Sequence, residues 1–155
     1  MALHPSVDKI LVTTDLSEAS EAAIEAVRPL ADAFGSTITL LHVTEFAPEL
    51  SGGAADEYRR RVKRVVLAQL DAMRKRVLGE RPHARTAVAD GRVVWQAICD
   101  YAGDHDYDLV AIATHGRSGL SRVLLGSVAE RVAGHAPCPV LVVRPHEMRV
   151  VLPQA

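Results

Sequence analysis

Five short apolar runs separated by four amphipathic segments leave this chain few folds to choose from. The runs at 9–14, 37–43, 86–89, 109–113 and 140–143 are rich in β-branched residues and nearly continuously apolar, as strands covered on both faces must be. Between them, apolar residues recur at helical spacing. Ala23, Val27, Leu30, Ala31 and Phe34 lie between Ser17 and a stop at Gly35, and Tyr58, Val62, Val65, Leu70, Met73 and Val77 precede Gly79. Val94, Ala97, Ile98, Tyr101 and Ala102 form a third stripe, and 127–133 a last helix with Gly134 as its stop. Strands alternating with helices close a parallel sheet through right-handed crossovers. The expected fold class is α/β, a single-domain open parallel five-stranded sheet with helices on both faces; the pattern alone leaves the strand order open. A chain of 155 residues makes about one domain and buries roughly 70% of its unfolded surface. We place its core at 6–144 and a C-terminal tail at 145–155.

Charge and composition narrow the partners. The net charge is −1 with no long single-sign block, so neither nucleic acid nor an anionic membrane is expected as a partner. The run Arg59, Arg60, Arg61, Lys63 and Arg64 falls mainly on the polar side of the second helix and reads as a solvated face. The N-terminus lacks the pattern of a secretory signal, and no apolar run approaches the roughly 18 residues of a spanning helix, so the expected location is cytoplasmic. Cys99 and Cys138 show no metal or redox spacing and read as ordinary thiols. Residues 44–56 contain Pro48 and the run Ser51, Gly52, Gly53, Ala54, Ala55, an expected mobile stretch able to cover a ligand.

The chemistry concentrates after the fourth strand. Ala113, Thr114, His115 and Gly116 lead, across nine intervening residues, into Gly126, Ser127 and Val128 at a helix start. Strand, glycine-punctuated loop and helix entrance together aim backbone N–H groups and the positive helix end at one point, a way to hold phosphate without a dedicated lysine. Gly116 allows a sharp exit from the strand, Gly126 a close approach to ligand, and Ser127 stands where an N-cap belongs. A bulky residue at Gly126 is then expected to block phosphate and spare the fold. Glycines serving turns alone remain the alternative. Arg117 could add charge from the loop or, like Arg122, face water. His42 and His115 lack a third metal ligand at recognisable spacing, so no metal or catalytic residue is assigned. Ser118 and Ser121 read as loop hydroxyls, and Trp95 as a packing residue.

Those residues, with the segment 135–144, resemble the C-terminal signature of the universal stress protein family; residues 10–17 and 40–43 resemble its first strand and turn and its second strand. The resemblance spans nearly the whole chain. It implies strand order 3-2-1-4-5, the adenine nucleotide alpha hydrolase-like arrangement, and an ATP site, with magnesium optional, where the order reverses. Carried onto this sequence, the family's first motif glycine falls on Ala113. Thr13, Thr14 and Asp15 then lie beside the Ala113 to Gly116 loop. Asp15 is a candidate for ribose, adenine or magnesium, or else a residue flanking the first helix. Val43 would lend its backbone to the adenine edge, and His115, Gly116, Ser127 and Val128 their N–H groups to the phosphates. Three readings follow: a regulatory protein binding an adenine nucleotide, a dimeric stress protein that binds none, or an enzyme on the same scaffold. For the third, no P-loop lysine, nucleophile elbow or acid/base pair is present, so the expectation is at most weak ATPase or autophosphorylation. The resemblance also implies a homodimer through the final strand. A fold-back of the tail over that edge is the alternative.

Overall fold

The computed structural model describes residues 6–45, 51–114 and 125–145. The elements are β1 (Lys9–Thr13), α1 (Glu18–Phe34), β2 (Thr37–Glu45), α2 (Gly53–Leu78), β3 (Ala84–Gly91), α3 (Val94–Asp104), β4 (Leu109–Ala113), α4 (Ser127–His135) and β5 (Val140–Val143). They build one parallel sheet in the order β3-β2-β1-β4-β5. The order reverses between β1 and β4, whose register pairs Ile10 with Leu109 and Val12 with Ala111.

Side-chain alternation sorts the core into two layers. Ile10, Val12, Ile38, Leu40 and Ala111 meet α1 and α2 through Ile24, Val27, Leu70 and Met73. Leu11, Leu41, Val43, Val110 and Ile112 meet α3 and α4 through Ile98, Ala102, Ala129 and Val132. Each fully buried Ile or Leu contributes about 2 kcal/mol. At the amino ends of the strands, Asp108 Oδ2 accepts the N–H groups of both Asp8 and Lys9 at 2.9 Å. This clamp fixes the β1–β4 register, and with it what meets at the opposite, carboxyl end.

Helix α1 opens where the sequence places it: Ser17 Oγ accepts the Ser20 N–H at 3.3 Å, and Gly35 closes it at φ 71°, a left-handed conformation suited to glycine. Several boundaries differ from expectation, among them that of β2, which continues to Glu45 and takes two residues from the expected loop. Helix α2 begins at Gly53, so the expected loop at 44–56 gives its last four residues to the helix; Ala55 is buried and continues the apolar stripe in a residue too small to announce it. Residues 46–50 of that loop lie outside the described residues. Strand β3 runs from Ala84 to Gly91 and pairs with β2 over eight positions, its polar Arg85 and Asp90 having hidden both ends. Gly134 does not stop α4, which continues to His135. The terminator is Pro137, since a residue before proline disfavours helix and Ala136 is extended at φ −61°, ψ 144°.

Candidate functional site

A cleft of about 750 Å³ opens at the carboxyl ends of the strands, over the point where the order reverses. Thr13, Thr14, Asp15, Val43, Ala113, Thr114, Gly126, Ser127 and Val128 line it. The expected site residues His115, Gly116 and Arg117 lie outside the described residues, as do Ser118, Ser121 and Arg122.

The floor comes from the strand ladder. In a parallel strand the N–H and C=O of one residue point the same way, and successive residues alternate. Thr37 N–H donates to Asp8 and Leu41 C=O accepts from Thr14 N–H, so odd residues of β2 face β1, whereas Ile38 faces the β3 side through His83 C=O. Val43 therefore directs its N–H and C=O toward β1, beyond the point where β1 has ended at Thr13. One donor and one acceptor are thus presented to the cleft by a buried valine.

The turn after β1 is closed by its own side chains. Asp15 Oδ1 accepts the Ser17 N–H at 3.0 Å and also the Ser17 hydroxyl. Thr14 Oγ1 accepts the Leu16 N–H at 2.9 Å and lies 2.5 Å from Ser20 Oγ. These bonds hold Leu16 at φ 67°, where a non-glycine residue costs roughly 1 kcal/mol. Asp15 thus shapes the entry to α1 while Ser17 caps it, as the helix-flanking reading has it, and the residue also borders the cleft.

The turn before α4 is built otherwise. Gly126 N–H donates to Thr114 C=O at 2.9 Å, and Gly126 C=O accepts from Glu130 N–H at 3.0 Å. Gly126 is itself the cap residue and has no side chain with which to cap α4. The expectation for Ser127 is corrected accordingly: it is the first helical residue, exposed at the helix entrance. The N–H groups of Ser127, Val128 and Ala129 have no partner within the helix and belong to residues that line the cleft. The role of Gly126 also changes. At φ −58° its conformation suits any residue, but a Cβ there would stand 2.4 Å from Thr114 O. Glycine is required by the protein's own backbone, so a bulky residue would break the turn before it blocked a ligand.

Reading side chains in order missed the remaining walls. His42 lines the cleft with Nδ1 2.9 Å from Thr14 O; since a carbonyl only accepts, this nitrogen carries the proton. Val62, Val66 and Gln69 of α2 close one side, Val94 and Ile98 of α3 the other. In sequence the valines are indistinguishable from core stripe, and only the position of β1's end separates the two roles. Ala113 is half-buried at the end of β4, opposite Val143. Trp95 packs beside His135 and Arg131. Burial pushes the Cys99 and Cys138 thiols above their ordinary value. Among the described residues no group of three His, Cys, Asp or Glu is placed to hold a metal, and no helix is long and apolar enough to cross a membrane.

Comparison with known proteins gives this geometry its relatives. Residues 6–144 match the model of the universal stress protein family. Universal stress protein MJ0531 of Methanocaldococcus jannaschii is 33% identical over 140 residues, covering 88% of this chain and 81% of that protein. The universal stress protein UspA of Lactobacillus plantarum superposes with a TM-score of 0.72 at 28% identity, over 91% of this chain and 100% of its own. At 21% identity, where likeness speaks only for the fold, a universal stress protein in complex with cAMP superposes with a TM-score of 0.67 over 91% of this chain and 99% of its own. More distant structures of the fold were solved with dAMP and with AMP bound, at 18% and 16% identity. With a family match over nearly its whole length, the chain belongs to the universal stress protein family.

Proposed function

We propose that this protein is a regulatory nucleotide-binding protein that holds an adenine nucleotide, ATP in the first instance, across the cleft between β1 and β4. The observation that carries the reading is a pair of backbone features on one cavity. The N–H and C=O of Val43 match the donor and acceptor of an adenine edge, and the uncapped entrance of α4 offers N–H groups and a positive helix end to phosphate. Related structures with cAMP, dAMP and AMP support the ligand class. Asp15, which lines the cleft, is the carboxylate this reading assigns to the ribose or to a magnesium ion carried in with the nucleotide. His115, Gly116 and Arg117 complete the phosphate contacts in this reading. Binding, with at most slow turnover, is the activity proposed, since among the described residues of the cleft no acid is paired with a base across a reacting atom. The site suits a cytoplasmic protein, where adenine nucleotides abound.

Ala113 favours a second reading, a dimeric stress protein that binds no nucleotide, because its methyl group stands where the family motif has glycine. Equilibrium dialysis against labelled ATP, AMP and cAMP separates the two: retention supports the first, and no retention of any of the three leaves the second. Assembly is a proposal of its own. β5 is an edge strand with Leu141 and Val143 on the α1/α2 face and Val142 on the other, and an apolar edge invites antiparallel pairing with a second copy. Light scattering at micromolar concentration tests it: twice the chain mass is expected, and a single-chain mass favours coverage by the tail at 145–155, which beyond 145 lies outside the described residues.

A further inference from the structure

The two halves of α2 treat their cations differently. In the second half, Arg74 and Lys75 pair with Asp71 at 2.8 and 3.0 Å, and Arg76 pairs with Glu21 of α1. In the first half, Arg59 meets Asp56 at 3.3 Å. Arg60, Arg61, Lys63 and Arg64 are all exposed, and among the described residues none of them lies in an ion pair. From 56 to 64 the helix carries five cations against two carboxylates, in a chain whose net charge is −1.

Beside these cations runs a seam of exposed apolar and small residues. Tyr58 and Val65 are 53% and 54% exposed, seven residues apart and so separated by about 10.5 Å along one flank of the helix. Arg61, Ala68 and Ala72, also exposed, fall on the same flank, which makes the spacing 58, 61, 65, 68, 72 alternate steps of three and four. That is the a/d repeat by which one helix seats another. The flank differs from the buried side, where Ala55, Val66, Leu70 and Met73 meet the sheet.

We infer that the outer flank of α2 docks an acidic amphipathic helix of a partner protein. Its apolar residues cover Tyr58 and Val65, the small Ala68 and Ala72 allow close backbone approach, and its carboxylates neutralise Arg60, Arg61 and Arg64. Two isolated apolar side chains are too few to bury in a lipid surface, and nucleic acid has no use for a heptad seam, so protein is the occupant the surface favours. The inner side of this helix contributes Val62, Val66 and Gln69 to the cleft, so a docked partner bears on an element that also walls the cavity.

The test uses the full chain and two labelled, glutamate-rich helical peptides, one with leucines at heptad a/d positions and one with those leucines replaced by glutamine. Fluorescence anisotropy is expected to show the leucine peptide binding at least about tenfold more tightly. Tyr58→Ser with Val65→Ser should remove that advantage, and Arg60→Glu, Arg61→Glu and Arg64→Glu together should abolish binding of both peptides; these side chains are exposed, so the urea midpoints of the variants should match the parent. Equal affinity for the two peptides, binding by neither, or preference for a DNA duplex or phosphatidylglycerol vesicles over the leucine peptide would each overturn the inference.

Discussion

The turn after β1 and the turn before α4 flank one cleft, yet they satisfy their backbones by opposite means. At the first, Asp15, Ser17, Thr14 and Ser20 bond to one another and to the chain, so α1 enters with a side-chain cap and Leu16 is held in a strained conformation. At the second, the cap is a glycine pressed against the Thr114 carbonyl, with no side chain of its own to give to the first N–H groups of α4. Both turns need short polar or small residues, but only one leaves its helix dipole open to a ligand. In the proposed function, what this second helix end omits is what a phosphate would use.

The largest effect that sharpens this comparison is at the uncapped turn. Gly126→Val should lower the stability read from urea unfolding by about 3 kcal/mol or more, because its Cβ would stand 2.4 Å from Thr114 O. An unchanged midpoint would mean that the contact does not build the turn. At the capped turn, Ser17→Ala removes the α1 cap and should cost about 1 kcal/mol; a loss of nucleotide affinity with no loss of stability would instead make that turn a ligand contact. A smaller effect is expected at Ala113→Gly. Glycine in a strand costs roughly 0.5–1 kcal/mol, while nucleotide affinity should hold or rise in calorimetry. A marked fall in affinity would show that the methyl group packs against the ligand.

Much of the fold is written locally, and much of the site is not. Apolar runs, the Ser17 cap and the Gly35 stop mark β1, α1 and β2 because their causes lie within a few residues of one another. Strand order does not follow from such signals and entered through the family resemblance. The reason for glycine at 126 depends on a carbonyl twelve residues away, brought close only by the turn itself. The contribution of Val43 is a backbone direction, invisible in its side chain and set by where β1 ends. His42 reads as a lone imidazole until the Thr14 carbonyl orients it. Among the cations of α2, the pairs of Arg74 and Lys75 with Asp71 lie at legible helical spacing, whereas the pairing of Arg76 depends on the position of α1, which supplies Glu21.

The central claim is that the open end of α4 receives the phosphate of an adenine nucleotide, and Ser127→Asp tests it most directly. Ser127 is exposed at the first helical position, where a carboxylate favours the helix by about 0.5 kcal/mol while repelling phosphate. Titration calorimetry with ATP and AMP, run beside urea unfolding, should show binding to the parent, at least about tenfold weaker binding to the variant, and an equal or higher unfolding midpoint. Nucleotide bound equally well by parent and variant would contradict the assignment of phosphate to this helix, and no binding by the parent would contradict the site altogether.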